Sequence, residues 1–149
     1  MSTRHLEALF NPRSIAVLGA SERSRNLGGI VLRNLLASDF KGQMVVVNDK
    51  GYENVHGVPC VRRTRYLPFV PDLAIICTPP ETVPKVVKSL GGHKVKTVMI
   101  LTGGLSRMHS RSGRSLMDSV EEVAREMGVR ILGPETIGIM VPSRGINAT

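Results

Sequence analysis

Short runs made almost wholly of apolar residues punctuate the chain at Ser14–Leu18, Met44–Asn48, Leu73–Cys77, Thr97–Leu101 and, more briefly, Arg130–Leu132. None of them alternates apolar with polar positions. Strands of this kind are covered on both faces, as in a parallel sheet. Between them, apolar residues recur at helical spacing. Gly29–Ala37 (GIVLRNLLA) carries one apolar stripe. Glu81–Leu90 follows Pro79-Pro80 and places Val83, Val86, Val87 and Leu90 together. Ser112–Met127 sets Leu116, Val120, Val123, Ala124 and Met127 on one face and is followed by Gly128, a residue suited to end a helix.

Strand and helix in alternation, joined by right-handed crossovers, predict an α/β domain. The expected architecture is Rossmann-like and doubly wound: a mainly parallel sheet of about five strands with helices on both faces. Gly51–Pro71 is less regular; "VHGVPCVRR" has room for a short strand, and "YLPFVPD" reads as a loop. The tail after Gly138, "IMVPSRGINAT", shows no helix cap or closing element and reads as the cut edge of a longer protein.

Composition narrows the class. A length of 149 residues is one ordinary domain, and 42% hydrophobic content is enough for a core without staples. The opening "MSTRHLEALFNP" has no apolar stretch of signal-peptide type, and no run approaches the roughly 18 apolar residues of a membrane span. The expectation is a soluble, cytoplasmic chain without a membrane partner. Two cysteines, Cys60 and Cys77, make no disulfide framework, and Cys77 reads as a small buried hydrophobe. The net charge of +8, from 20 Lys and Arg against 12 Asp and Glu, calls for an anionic partner: nucleic acid, a phosphorylated metabolite or an acidic protein. With no Trp, two Tyr and three Phe there are few platforms for base stacking, so a phosphate-rich small ligand is favoured over nucleic acid.

In an open parallel sheet the ligand lies beyond the carboxyl ends of the strands. The residues there are Gly19-Ala20-Ser21, Asn48-Asp49-Lys50, Thr78-Pro79-Pro80, Thr102-Gly103-Gly104 and Gly133-Pro134-Glu135-Thr136. None brings a His, a Cys or paired carboxylates to perform chemistry. The dinucleotide fingerprint G-x-G-x-x-G is incomplete, because Gly19-Ala20-Ser21-Glu22-Arg23-Ser24 lacks its second and third glycines. Asp49 could serve a ribose diol in an NAD(P) module of an oxidoreductase or redox-sensing regulator, but Lys50 beside it suits a phosphate. The alternative ligand carries several phosphates on an adenosine, as coenzyme A does. Gly19 permits a tight turn, Ser21 offers a hydroxyl, Arg23 and Arg25 bring guanidinium groups to a helix start, and Asn26 and Gly28 complete the loop. A third reading uses the basic surface on nucleic acid or an acidic protein.

The pieces "LFNPRSIAVLGAS" (Leu9–Ser21), "VVNDKGYENVHGVPC" (Val46–Cys60), "PDLAIICTPPETV" (Pro71–Val83), "TVMILTGGL" (Thr97–Leu105) and "GVRILGPETIGIMVP" (Gly128–Pro142) occur in order along nearly the whole chain. In that set the chain resembles the N-terminal CoA-binding domain of NDP-forming acyl-CoA synthetases, a relative of the succinyl-CoA synthetase α-subunit. The resemblance implies coenzyme A or an acyl-CoA as ligand. Gly19, Ala20, Ser21, Arg23, Arg25 and Asn26 would hold its phosphates, with Asn48 and Lys50 after the second strand. Thr78, Pro79 and Pro80 would lie beside the adenosine or pantetheine, and Leu101, Thr102 and Gly103 along the pantetheine toward the thiol. It further implies other domains of a parent protein as partners, is compatible with a homo-oligomer, and places no catalytic or metal-binding residue in residues 1–149.

Two positions depart from the family: Asp49 stands where Asn-Pro-Lys is usual, and Glu135 where Gly-Pro-Asn is usual. The phosphorylated histidine of the family lies in a later domain, and His5, His56, His93 and His109 occupy no matching position. "HLEALFNPRSIAVLGAS" and "LRNLLASDFKG" also look like the subgroup fused to a GNAT protein acetyltransferase, where this part is regulatory.

Overall fold

The structure, a computed structural model, describes residues 3–149. Its centre is a seven-stranded sheet in the order β3-β4-β2-β1-β5-β6-β7. The strands are β1 (Ser14–Leu18), β2 (Gln43–Val47), β3 (Asn54–Val55), β4 (Val58–Val61), β5 (Leu73–Ile76), β6 (Thr97–Ile100) and β7 (Arg130–Leu132). All neighbours run parallel except β3, which pairs antiparallel with β4. The register sets Ile15 beside Met44 and Leu73, so the first strand lies mid-sheet. Every residue of β1, β5 and β6 is buried, which accounts for their unbroken apolar runs.

The helices are α1 (Leu6–Phe10), α2 (Leu27–Ala37), α3 (Val83–Gly92) and α4 (Leu116–Met127). Alternate residues of each central strand feed two separate cores. Ile15 and Val17 join Val31, Leu32 and Leu35 of α2 on one face, whereas Ala16 and Leu18 join Val87 and Leu90 of α3 and Val120 and Ala124 of α4 on the other. Gly128 ends α4 in the left-handed region (φ 66°), as its position after the apolar stripe predicts.

Several boundaries differ from the expectation, among them α3, expected over Glu81–Leu90 and observed over Val83–Gly92 after a 3-10 turn at Pro80–Thr82. The short strand for which "VHGVPCVRR" has room is β4, and the sheet further gains β3, joined to it in a hairpin turned at His56-Gly57. Helix α2 starts at Leu27, two residues earlier, because Gly28 and Gly29 are helical and buried. Helix α4 starts at Leu116, where Ser115 caps it by accepting the Asp118 amide at 3.1 Å. The tail is not open: β8 (Ile139–Val141) and β9 (Ile146–Ala148) form an antiparallel hairpin, and its buried Ile146 and Ala148 join the core beside α2. Asn34 on α2 secures it by donating to the Thr149 carbonyl at 2.8 Å. No helix among the described residues is long and apolar enough to cross a membrane.

Candidate ligand-binding cleft

The loop from β1 to α2 is built around one side chain. Asn26 caps α2 by accepting the Gly29 amide at 2.7 Å; the same oxygen accepts the Ser21 amide at 2.9 Å, and its Nδ2 donates to the Gly19 carbonyl at 3.2 Å. All of its hydrogen bonds go to backbone, so its place is to hold the loop's shape. Gly19, at φ +92°, passes over the β5 terminus; a Cβ there would lie 2.9 Å from the Cys77 carbonyl oxygen. A Cβ on Gly28 would lie 2.7 Å from the Ala20 nitrogen. The close helix-to-strand approach that the fingerprint's glycines permit is thus provided by Gly28 and Gly29, further along a longer loop.

Beyond this loop lies a cleft of about 1030 Å³. It runs along the carboxyl ends of β4, β2, β1, β5 and β6, the position an open parallel sheet reserves for ligands. Of the sequence-predicted residues, Gly19, Ser21, Arg23, Asn26, Asn48, Lys50, Thr78, Pro79, Pro80, Thr102 and Gly103 line it. Ala20, Arg25 and Leu101 do not. Ala20 is buried beneath the loop, with its carbonyl accepting from Asn48 Nδ2 at 2.9 Å. Arg25 is an exposed residue at φ 64° in the turn before the cap. Leu101 belongs to the core.

Two further hydrogen bonds shape the walls. The Lys50 amide donates to Asn48 Oδ1 at 3.0 Å, a turn that fixes the backbone leaving β2. Thr102 Oγ1 donates to the Thr78 carbonyl at 2.7 Å, tying the β6 loop to the β5 loop. Next to it Glu135, at φ 57°, accepts the Gly104 amide at 2.9 Å. Cys77 lines the floor, half-buried, and its environment pushes the thiol up to about 12 by desolvation. It is a neutral thiol rather than a nucleophile at physiological pH.

The cleft also recruits residues that sequence reasoning passed over: Tyr52, Arg62, Arg63, Thr64, Arg65, Lys85 and Ser89. The signal for them was the basic run Arg62-Arg63-Thr64-Arg65, which gains meaning only once β4 is seen to end beside β2. Six cationic side chains line the cleft (Arg23, Lys50, Arg62, Arg63, Arg65 and Lys85), against one acid, Asp49. The ion pairs found among the described residues, Lys41–Asp39 and Arg114–Glu122, lie elsewhere; Arg65 donates to the Tyr66 hydroxyl at 3.0 Å. No cluster of His, Cys, Asp or Glu among the described residues is arranged to hold a metal.

Residues 13–142 match the family described as CoA binding domain. The chain belongs to this family. As a CoA-binding domain it is 35% identical over 147 residues to the acetate–CoA ligase (ADP-forming) I subunit alpha of Pyrococcus furiosus, covering 97% of this chain and 32% of that one. It is 33% identical to the acetate–CoA ligase (ADP-forming) of Methanocaldococcus jannaschii, again over 97% of this chain but 20% of that one. The chain therefore spans about a third, or a fifth, of the relatives it matches. Among solved structures it matches a dinucleotide-forming acetyl-coenzyme A synthetase 1 of Ca. Korarchaeum cryptofilum, in complex with phosphate and ADP, with a TM-score of 0.88 at 33% identity, covering 97% of this chain and 30% of that one. Coenzyme A is accordingly the ligand that family and relatives support. They give no support to the nicotinamide alternative, and Asp49 stands in the cleft as an isolated acid among cations.

Proposed function

We propose that this domain holds coenzyme A or an acyl-CoA for an acyl-CoA synthetase of the ADP-forming kind, presenting the thiol to an acyl donor formed on other domains. The observation that carries the reading is the meeting of six cationic side chains, none held by a carboxylate among the described residues, with the start of α2 on one cleft of about 1030 Å³. That volume is near the upper end for small-molecule sites, as a long ligand requires.

Ser21, Arg23 and the start of α2 would receive the diphosphate, where the helix dipole and first-turn N–H groups favour negative charge. Lys50 adds a positive point from β2. The cleft residues at the ends of β5 and β6, Cys77, Thr78, Pro79, Pro80, Thr102 and Gly103, carry no charge and suit the uncharged pantetheine arm. Asn26 acts through the loop it holds rather than as a ligand group. The described lining of the cleft brings neither a His nor paired carboxylates, and the part proposed for the domain is to position the thiol.

Calorimetric titration of the chain with coenzyme A, NAD and NADP tests this. Coenzyme A is expected to bind more tightly than either nicotinamide nucleotide. Lys50→Ala should weaken it at least about tenfold, the size of one charge-assisted contact, with the melting temperature unchanged. Preference for a nicotinamide nucleotide, or an unchanged coenzyme A affinity in Lys50→Ala, would contradict the reading.

A further inference from the structure

One carboxylate stands at the β6 end of the cleft, just outside the residues that line it. Glu135 follows β7 and accepts the Gly104 amide through Oε1 at 2.9 Å. Gly103, beside that turn, lines the cleft, and a Cβ built on it would lie 3.6 Å from the same oxygen. The carboxylate is thus one van der Waals contact behind the wall formed by Thr102 and Gly103.

The loop that carries it is braced at both ends. Gly133 passes so close to β6 that a Cβ there would strike the Ile100 carbonyl, and Gly138 stands in the same relation to the Ala148 carbonyl of β9. Thr136 Oγ1 accepts the Gly138 amide at 3.2 Å. Between these points Glu135 takes φ 57°, a left-handed conformation that a residue with a side chain seldom adopts. The Gly104 carbonyl in turn accepts the amides of Arg107 and Met108, so Glu135 anchors the turn that leaves β6. Glu135 is exposed, and no cation among the described residues pairs with it, Arg107 of that turn included. To hold the Gly104 amide only an acceptor is needed, which a neutral carboxamide would also supply. What the carboxylate adds at this end of the cleft is negative charge.

We propose that Glu135 selects the acyl group of the bound thioester by charge, disfavouring acyl chains that end in a carboxylate and admitting neutral or cationic ones. The inference rests on the coenzyme A reading, in which the pantetheine arm passes Thr102 and Gly103 and brings the thiol end toward β6. Like charges a few ångströms apart in solvent weaken binding by roughly threefold. Glu135 would thereby set which acyl groups the domain accepts, while the phosphate contacts lie elsewhere.

Calorimetry with propionyl-, malonyl- and β-alanyl-coenzyme A, on the chain and on Glu135→Gln, tests it. The three ligands share every phosphate, so ratios among their affinities isolate the acyl end. The unaltered chain should bind the malonyl form about threefold or more weaker than the propionyl form, and the β-alanyl form at least as tightly as the propionyl form. Glu135→Gln keeps an acceptor for Gly104, and its ratio of malonyl to propionyl affinity should rise toward one. A purely structural role would shift the three ligands alike. If the variant fails to fold, the unaltered chain decides alone: the gap between malonyl and propionyl forms should close at high ionic strength, where exposed charges are screened. Equal or tighter binding of the malonyl form by the unaltered chain, or a gap that persists in folded Glu135→Gln or at high salt, would overturn the inference and leave the coenzyme A reading standing. Failure of coenzyme A itself to bind would overturn both.

Discussion

Asn26 Oδ1 accepts the amide of Ser21 at 2.9 Å, so the residue that caps α2 also closes the loop leaving β1. The start of α2 and the loop leaving β1 are thereby one unit, tied through the same side-chain oxygen.

Removing that side chain exposes the dependence. Asn26→Ala loses the cap and leaves the Ser21 and Gly29 amides without their acceptor, at a cost of about 1–3 kcal/mol. Urea unfolding should show this loss, and coenzyme A affinity should fall in the same variant because the loop is no longer held. Asn26→Asp keeps the acceptor and forfeits the donor to Gly19, so it should recover most of the stability and less of the affinity. Equal stability of Asn26→Ala and the unaltered chain would refute the loop's dependence on this residue.

Glycines at two helical positions should respond in opposite directions to alanine. Intrinsic propensity favours alanine by about 1 kcal/mol in a helix interior. At Gly28 the new Cβ would meet the Ala20 nitrogen at 2.7 Å, both being backbone-fixed, so Gly28→Ala should lower the melting temperature. At exposed Gly92, the last residue of α3, nothing lies within 4 Å, and Gly92→Ala should leave the melting temperature unchanged or raise it slightly. Thermal melts of the two variants decide whether close approach, rather than turn flexibility, keeps glycine at Gly28.

Cys77 makes stability depend on alkaline pH. Its thiol is pushed up from near 9 to about 12 in the folded chain by desolvation. A raised folded value means that stability is fully present below pH 9 and is lost as pH rises toward 12, because the unfolded chain releases its proton first. The slope is at most about 1.4 kcal/mol per pH unit, reduced by solvent in the cleft that Cys77 borders. Denaturation of the chain and of Cys77→Ala at pH 8 and pH 10 should show the unaltered chain losing more between the two. Parallel losses would show that the thiol titrates normally.

How far the sequence carries depends on what burial does to each segment. The central strands were legible because both faces are covered, which forces continuous Val, Ile and Leu in Ser14–Leu18 and Leu73–Ile76. At the sheet's edge that pressure lapses. Val58-Pro59-Cys60-Val61 has an exposed proline and a half-buried cysteine, so β4 gave no strong signal, and the arginines after it passed for loop charge. Gly28 read as loop because glycine is a poor helix former, yet its close approach to Ala20 overrides propensity there. The tail hairpin is held by Ile146 and Ala148 against α2, a contact between distant parts of the chain that local pattern does not reveal. Ser21, Arg23, Asn48 and Lys50 were reachable because a parallel sheet places its strand ends together whatever the details of its edges.

The most direct test of the whole account is a crystal structure of the chain with coenzyme A. The account predicts the diphosphate against Ser21, Arg23 and the first turn of α2, with the pantetheine arm running past Thr78 and Thr102. Coenzyme A bound outside this cleft, or a cleft that stays empty with coenzyme A and fills with a nicotinamide nucleotide, would contradict it.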